Sequence, residues 1–408
     1  MANSFNKEEV VLFENVLERF EKELIMSRNC SRFTPDAQGM QRQGDQFWRP
    51  QPFISEVVDG MDIAGNYADL KQLSVPATLS HVKNVPWTLD AKELRDEWYM
   101  NEQARSASQT LAAQIETSLA LNVAMTGANV VKRGALTGYD DLSACGTMLS
   151  SIGVPRDNRH MFLDTQDYNA VASNLAGRQT VQGKPETAIE EARIGRYAAF
   201  NTYDVDIMPR LTEAAGGSIT VDGAGQTLTP ASTSTAGSGE VSNVDNRTQL
   251  LTVSATADVK VGDAFTIAGV NRVHLITKTD TGKPFTLRVH EVVSGTVLRV
   301  TAMIDDGPYQ NVSAAPANTA AITWLNTEDA PVNVFWQGSS VEVIGGRLAA
   351  DRLRGMEVMN GTTENGIQLV MARQGEIDDL TQKYRWTIFY GTSNLQPLFN
   401  GIMLGNQS

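Results

Sequence analysis

Residues 90–127 read DAKELRDEWYMNEQARSASQTLAAQIETSLALNVAMTG, and this stretch decides the fold that the sequence predicts. No proline or glycine interrupts it before Gly127, which supplies a common helix stop. Asp90 is a suitable N-cap for this helix, and Glu93, three residues later, is suited to accept a hydrogen bond from the Asp90 backbone N–H in return. One face carries apolar residues at helical spacing: Leu94, Trp98, Leu111, Ile115, Leu119 and Val123. The pattern predicts a single helix of about 35 residues, or ~50 Å, roughly three times the usual length.

A second amphipathic helix is predicted over about the first 25 residues. Asn6 with Glu9 suits an N-cap with its reciprocal partner, and the helix should end before Pro35. Glutamates cover much of the remaining surface. The apolar residues share one face: Val10, Phe13, Leu17, Phe20 and Leu24. Such an apolar stripe needs another surface to lie against.

The residues between these two helices have a different character. A long helix is excluded there by Pro50, Pro52, Pro76 and Pro86, together with Gly60 and Gly65. Short segments that begin at Gln46 and Gln72 have the composition of extended chain. We therefore predict an elongated, hairpin-like excursion rather than a compact domain.

The rest of the chain predicts an all-β module inserted into a mixed host. Residues 130–212 alternate helical and extended signals, which indicates a mixed layer of helices and strands. From Glu213 the composition shifts, and residues 216–239 are rich in Gly, Ser, Thr and Ala with Asp222 as the only charge. Short strand-like runs separated by turn residues follow, which is typical of a small barrel or sandwich. Mixed character resumes after residue 332, so the predicted fold class is α+β with an inserted β domain.

Composition and charge exclude several classes of protein. The chain has 408 residues and a formal net charge of −13, from 34 Lys and Arg against 47 Asp and Glu. This acidic balance argues against a protein that grips nucleic-acid phosphates. No run approaches the ~18 consecutive apolar residues of a membrane-spanning helix, and no signal peptide is visible. Cys30 and Cys145 have no metal-like spacing, which predicts free thiols in a reducing compartment.

Catalytic motifs are absent from the sequence. It contains no phosphate-binding loop, no HExxH zinc motif and no nucleophile elbow, so we predict no enzyme, metal or cofactor. Close acidic pairs are common on solvated turns, and nothing in the sequence separates their pKa values as catalysis requires. One alternative stays open, a carbohydrate-processing β enzyme that would use either of two pairs: Asp204 with Asp206, or Asp378 with Asp379.

Short blocks along nearly the whole chain resemble, in order and spacing, those of a known family. The blocks are Phe33-Thr-Pro with Met40-Gln-Arg and Trp48, Leu94-Arg-Asp-Glu, Gln166-Asp-Tyr, Val244-Asp-Asn-Arg with Val253-Ser-Ala-Thr, Gly262-Asp with Ala268-Gly-Val, Asn333-Val-Phe-Trp, Gln374-Gly-Glu-Ile and Tyr390-Gly. In these blocks the chain resembles the major capsid (coat) proteins of short-tailed lambdoid phages, the P22-like coat proteins. The resemblance implies an HK97-like capsid fold with an inserted β-barrel domain, the I-domain.

The resemblance also implies a division of the chain into domains. It assigns residues 1–36 to an N-terminal arm helix, 37–88 to an extended loop, 89–128 to the spine helix of a peripheral domain, 129–214 to the first part of an axial domain, 215–332 to the I-domain, and 333–408 to the remainder of the axial and peripheral domains. The arm and the extended loop would reach neighbouring subunits.

The function that the resemblance implies is structural. The chain would self-assemble into pentamers and hexamers of an icosahedral phage head that encloses double-stranded DNA without sequence-specific binding. Its partners would be further copies of itself, a scaffolding protein and a portal protein, with no membrane. A procapsid would form in the cytoplasm of the host bacterium and then mature. No long helical segment precedes the arm, so we expect the scaffolding protein to be a separate polypeptide. The alternative within this class is another phage structural subunit, a tail-tube or decoration protein.

Glu14 and Glu18 are the candidates for the contact with the scaffolding protein. In the family, acidic residues of the arm take part in binding a basic helical segment of that partner. Glu14 falls at such a position, and Glu18 follows four residues later on the predicted helix. An acidic face that only contacts solvent is the equally weighted alternative.

The candidates for contacts between capsomers lie in the I-domain. In relatives, the loop before Val-Asp-Asn-Arg carries charges that pair between neighbouring capsomers. Here the matching residues 230–243 contain one charge, Glu240. We therefore expect a substitute, which would be Arg247, the loop of Lys278 to Lys283 with Asp280, or a decoration protein.

Overall fold

A computed structural model describes residues 7–36, 40, 44–52, 54–55, 61, 71–95, 97–177, 194–353 and 355–408. Its α-helices within these residues are Lys7–Glu23 (α1), Glu97–Thr126 (α2), Tyr139–Ile152 (α3) and Thr165–Ala176 (α4). Short 3-10 turns lie at Ser27–Asn29, Glu93–Arg95, Ala350–Arg352 and Pro397–Phe399. None of the helices in the described part of the chain is long and apolar enough to span a membrane.

The strands are numbered in chain order. They are β1 Ser31–Phe33, β2 Gln46–Pro50, β3 Ser74–Thr78, β4 His81–Asp90, β5 Asn129–Lys132, β6 Arg159–Leu163, β7 Arg196–Tyr197, β8 Phe200–Asp204, β9 Arg210–Leu211, β10 Thr233–Thr235, β11 Val241–Asn243, β12 Thr248–Thr252, β13 Ala264–Val273, β14 Asp280–Ser294, β15 Val297–Thr301, β16 Ile322–Trp324, β17 Ala330–Gln337, β18 Val341–Gly345, β19 Glu357–Thr362, β20 Gln368–Glu376, β21 Thr381–Asn394 and β22 Asn400–Leu404. This mixture of helices and sheets confirms the predicted α+β class.

The chain forms two compact units. The first contains residues 1–47, 77–119 and 342–393, and the second contains residues 48–76, 120–341 and 394–408. This division follows contacts within the structure and does not coincide with the domain scheme predicted from the sequence. That scheme stays a prediction.

A six-stranded sheet is the framework of the first unit. Its strand order is β1-β18-β21-β20-β19, and β4 pairs with β21. The antiparallel ladder between β4 and β21 covers ten residue pairs, from Thr381 opposite Asp90 to Tyr390 opposite His81. Alternate residues of β21 are buried on one face: Tyr384, Trp386, Ile388 and Tyr390. This two-residue period is the pattern of a strand with one face in a core.

Helix α1 packs on this sheet of its own chain. The Phe13 ring stacks on Trp386 with 5.7 Å between centroids and 9° between planes. Gly361 permits this close approach, because a Cβ atom there would lie 2.6 Å from the Phe13 ring. The predicted apolar stripe is confirmed at its buried members, Phe13, Phe20 and Leu24, whereas Val10 is exposed. Asn6, the predicted N-cap, lies outside the described residues.

The predicted start of the long helix was wrong by several residues. The ladder with β21 keeps the chain extended through Asp90. Asp90 and Glu93 therefore cap the 3-10 turn that precedes α2 and not α2 itself. The Asp90 Oδ1 accepts from the N–H of Lys92 at 2.7 Å and of Glu93 at 2.9 Å, and the Glu93 carboxylate accepts from the Asp90 N–H at 3.2 Å. Trp98, expected on the buried face, is 63% exposed. Gly127 ends the helix as predicted.

Two sheets and two helices build the core of the second unit. One sheet has seven strands in the order β5-β22-β17-β6-β8-β7, with β9 on β17. Helices α3 and α4 contribute to its apolar core, which includes Leu142, Leu149, Val171, Met161 and Phe335. The other sheet has five strands in the order β12-β15-β14-β13-β16 and its own core, which includes Val221, Leu251, Phe265, Leu287 and Val300. The separate apolar core of the second sheet agrees with the predicted β module.

The end of α2 is also held in the second unit. Arg288 of β14 is fully buried, and one of its terminal nitrogens donates to the Ala124 carbonyl in the last turn of the helix. Cations suit the C-terminal end of a helix because the last carbonyls lack partners within it. Burial lowers the pKa of Arg288 to about 10, which still leaves it charged at neutral pH.

Candidate functional site

The outer face of α1 is acidic. Glu14 and Glu18 are both exposed, one helical turn apart and on the side away from buried Phe13. Lys22 donates to the Glu18 carboxylate at 2.6 Å, and this hydrogen bond lowers the pKa of Glu18. The structure therefore brings both sequence-predicted residues together on one accessible surface.

A buried ion network fixes which face of α1 is outward. Arg373 of β20 pairs with Glu9 of α1 and with Glu357 of β19, and its side chain is only 13% exposed. Farther along the helix, the Glu21 carboxylate accepts from the Glu364 N–H at 2.7 Å. The partners of Glu9 and Glu21 lie more than 300 residues away in sequence, so no local pattern could have revealed them.

Glu116 of α2 binds the backbone just after α1, at Met26 and Ser27, which is here called the root of the arm. Its carboxylate accepts from the backbone N–H groups of Met26 at 2.5 Å and Ser27 at 3.1 Å. Burial raises the pKa of Glu116, and the hydrogen bonds oppose that shift. Sequence reasoning missed this residue. The only available signal was a glutamate on the face that also carries Ile115 and Leu119.

The loop of residues 230–243 forms an exposed hairpin of β10 and β11. All six strand residues are exposed, and the Ser234 and Ser242 hydroxyls lie 3.3 Å apart. Glu240 is exposed in the turn of this hairpin. The hairpin presents hydroxyls and backbone with a single carboxylate.

Arg247 is engaged within its own chain. Its guanidinium donates to both Asp245 carboxylate oxygens, the closest at 2.7 Å, and to the Asn394 carbonyl at 2.7 Å. The side chain is 19% exposed. These bonds make Arg247 a link between the start of β12 and the end of β21.

The other three candidates are close together in sequence: Lys278 lies in the turn between β13 and β14, and Asp280 and Lys283 lie at the start of β14. The Lys278 ammonium donates to the Pro308 carbonyl, and its backbone has a φ of 54°. Asp280 accepts from Asn271 at 3.0 Å and from the Gly282 N–H at 2.7 Å, and these bonds lower its pKa. Lys283 is exposed. The stretch of residues 278–283 therefore carries charges of both signs, whereas Glu240 lies on the hairpin of β10 and β11.

The residues considered for catalysis are placed on the surface. Asp204, Asp206, Asp378 and Asp379 are all exposed. A glycosidase holds its acid in enclosed surroundings, and none of these four exposed carboxylates is enclosed. Among the described residues, no group of three or more His, Cys, Asp or Glu could hold a metal ion. Cys30 and Cys145 are free thiols, as predicted.

Two histidines lie in strands, His160 buried and His290 half-buried. Burial lowers the pKa of His160 to about 4, and burial together with Arg288 and Arg247 lowers that of His290 to about 4. His160 lies 2.8 Å from the Asn158 amide oxygen, and His290 lies 3.3 Å from the Thr301 hydroxyl. Both imidazoles are therefore neutral at physiological pH.

Comparison with known proteins agrees with this architecture. The family model described as P22 coat protein, gene protein 5, matches residues 1–405. Among solved structures, the CUS-3 coat protein I-domain is 42% identical, and the match covers 28% of this chain and 98% of that chain with a TM-score of 0.22. A structure from Mycobacterium phage Che8 is 9% identical over 93% of this chain and 90% of that chain, with a TM-score of 0.46. The family match over residues 1–405 shows that the chain belongs to the P22 coat protein family, so it is a bacteriophage major capsid protein with the HK97-like fold and the I-domain of that family.

Proposed function

We propose that this coat protein assembles into pentamers and hexamers of an icosahedral head that encloses double-stranded DNA. The observation that carries the proposal is the family match over residues 1–405, which includes the arm, the long helix and the inserted domain. The net charge of −13 supports a container wall, because a strongly basic inner surface would bind the genome and hinder its release.

Assembly would proceed through a procapsid built on a separate scaffolding protein in the cytoplasm of the host bacterium, followed by maturation. The acidic face of α1 supports this part of the proposal, because Glu14 and Glu18 are exposed while the opposite face is anchored on the sheet. A basic helical segment is the partner that suits such a face. A portal protein would occupy one vertex of the shell.

Contacts between capsomers would involve the exposed hairpin with Glu240 and the stretch of residues 278–283, which carries Lys278, Asp280 and Lys283. Arg247 would act through the position of β12, since its donors are used within the chain. A decoration protein would add to these contacts if the shell carries one. In this proposal, residues 215–332 form the I-domain and the arm and extended loop reach neighbouring subunits.

Co-expression of the chain with a scaffolding protein, followed by electron microscopy, tests the proposal. We expect closed shells, and fewer of them when Glu14→Lys and Glu18→Lys are combined. Glu102→Lys, an exposed glutamate of α2, is the matched control. Helical tubes would favour a tail-tube protein, and a soluble monomer that cleaves polysaccharide would favour the carbohydrate-processing enzyme.

A further inference from the structure

The turn between β20 and β21 exposes two large apolar side chains. Ile377 is 88% exposed and Leu380 is 70% exposed. Leu380 also has a left-handed backbone with a φ of 51°, which is unfavourable for a leucine. Asp378 and Asp379 lie between them and are exposed as well. Residues 377–380, here called the hairpin tip, thus form an acidic and apolar projection at the end of two paired strands.

A groove of about 810 Å³ lies on the same sheet. Strands β4, β20 and β21 form its floor, and the wall segment that also lines it consists of Leu348, Ala349, Ala350, Leu353 and Met356. The lining is mainly apolar and includes Trp87, Leu353 and Val370. No carboxylate belongs to the lining in the described part of the chain, whereas the cationic side chains of Arg373, Lys383 and Arg385 do.

The groove retains positive charge after its internal pairs are formed. Arg373 and Lys383 have carboxylate partners within the chain. Arg385 donates to neutral oxygens, those of Asn84 at 2.8 Å and Thr387 at 3.1 Å. Arg347 and Arg352, next to the wall segment, are exposed and form no ion pair with any residue that the structure describes.

We propose that the hairpin tip of one subunit docks into this groove of a second copy. Ile377 and Leu380 would be the apolar anchors, and Asp378 and Asp379 would face the uncompensated arginines. Such a contact removes exposed apolar area from water and pairs opposite charges. The proposal rests on the self-assembly proposed above and names one of its contacts.

The docking must occur between subunits. The tip continues the same two strands that form the groove floor, because Gln374 and Lys383 line the groove and residues 377–380 lie beyond them in the hairpin. A paired hairpin cannot fold back onto its own face. Tip and groove are different surfaces, so the contact is heterologous and closes into a ring where the rotation between subunits allows it.

The apolar anchors are tested by combining Ile377→Ser with Leu380→Asn. Asparagine tolerates the left-handed backbone, so the turn keeps its conformation while the anchor is lost. We expect at least a ~10-fold loss of assembled particles at a fixed protein concentration, with the thermal unfolding of the monomer unchanged. Leu250→Ser is the control, since this leucine of β12 is also exposed.

The charges are tested by an exchange. One variant combines Asp378→Arg with Asp379→Arg, a second combines Arg347→Asp with Arg352→Asp, and a third carries all four changes. We expect each reversal alone to reduce assembly and the third variant to restore it, because opposite charges again face each other. All three should unfold like the wild type, since every changed residue is exposed.

The outcomes separate the docking contact from the function. A wild-type chain that forms no particles overturns both proposals. A wild-type chain that assembles, together with tip variants that assemble equally well, overturns the docking contact and leaves the capsid function standing. A four-fold variant that stays as defective as either reversal also overturns the docking contact.

Discussion

At the scale of single residues, Glu116 is the side chain on which the root of the N-terminal arm depends. It is 4% exposed and accepts two backbone N–H groups that follow the end of α1. Buried donors without a partner are costly, because the lost hydrogen bonds to water are not replaced. A carboxylate from a different part of the chain satisfies them here.

Replacing this carboxylate should loosen the arm. We predict that Glu116→Ala lowers the free energy of unfolding by about 2–4 kcal/mol, since two buried N–H groups lose their acceptor. Urea unfolding of the monomer measures the loss. Glu102→Ala on the same helix removes only an exposed carboxylate and should cost less than about 0.5 kcal/mol. Equal stabilities of the two variants would contradict the role of Glu116.

The effect of Glu116 should also depend on pH. Burial raises its pKa above the ordinary value of 4.5, so the native state binds this proton more tightly than the unfolded state does. The stabilisation by Glu116 is therefore largest below pH 4.5 and falls as the pH rises through the folded pKa. The Cys30 thiol nearby, whose pKa burial raises to about 12, does not titrate in this range. The difference in stability between wild type and Glu116→Ala should shrink from pH 4.5 to pH 8, and a growing difference would refute this sign.

Gly361 makes the docking of α1 possible. A Cβ atom at this position would lie 2.6 Å from the Phe13 ring and 3.2 Å from Leu17. We predict that Gly361→Ala costs about 1–3 kcal/mol, because the helix must move away from the sheet. Gly375→Ala on β20 is the matched control, since nothing lies within 4 Å of its Cβ position. Thermal unfolding of both variants provides the comparison.

At the scale of elements, α1 is held by charge as well as by apolar packing. Arg373 lies between Glu9 and Glu357, with little exposed surface. A buried charge that loses its partner is strongly destabilising, even where the whole pair contributes little net stability. The network therefore sets the position of the helix more than it adds to the stability of the fold.

We predict an asymmetry between variants of this ion network. Arg373→Met should destabilise the chain by about 3–5 kcal/mol, because two carboxylates remain in a partly buried site. Adding Glu9→Gln and Glu357→Gln should recover much of the loss. Lys22→Met, which breaks only the exposed pair with Glu18, should cost less than about 1 kcal/mol. Protease digestion measures how readily α1 leaves the sheet. A triple variant that is no more stable than Arg373→Met would contradict the explanation.

At the scale of the whole molecule, the inserted β domain has a core of its own. Its buried apolar cluster runs from Ile219 to Ile322 and includes Leu251 and Phe265. A contiguous segment with its own core can fold without the remainder of the chain. The buried members of this cluster lie within residues 215–332, and the half-buried Leu398 packs against it from outside that range.

We therefore predict that residues 215–332 fold alone. Arg288 would lose its bond to Ala124 and gain water in exchange. The expected results are a β-type circular dichroism spectrum and a cooperative transition in urea. Leu287→Ala, in the centre of the core, should lower the stability of the fragment by about 2–5 kcal/mol. A fragment without a cooperative transition would show that the domain needs its host.

The sequence by itself determined the features that depend on neighbours along the chain. The apolar period of α1 and α2, the stop at Gly127 and the short alternating strands of the β domain are local, so each could be predicted. The acidic face with Glu14 and Glu18 followed from the same helical period. These predictions hold because side-chain spacing of 3.6 or 2 residues fixes which face an element buries.

Only the tertiary structure decided how these elements are paired. Because β4 pairs with β21, the long helix starts later in the chain than its sequence predicts. Glu9 forms its ion pair with Arg373, which lies 364 positions away in sequence. The exposure of Trp98, expected in the core, likewise depends on what lies opposite that turn of α2. Pairing between distant segments depends on which surfaces meet after the chain collapses, and burial then converts a glutamate such as Glu116 from a surface residue into an anchor.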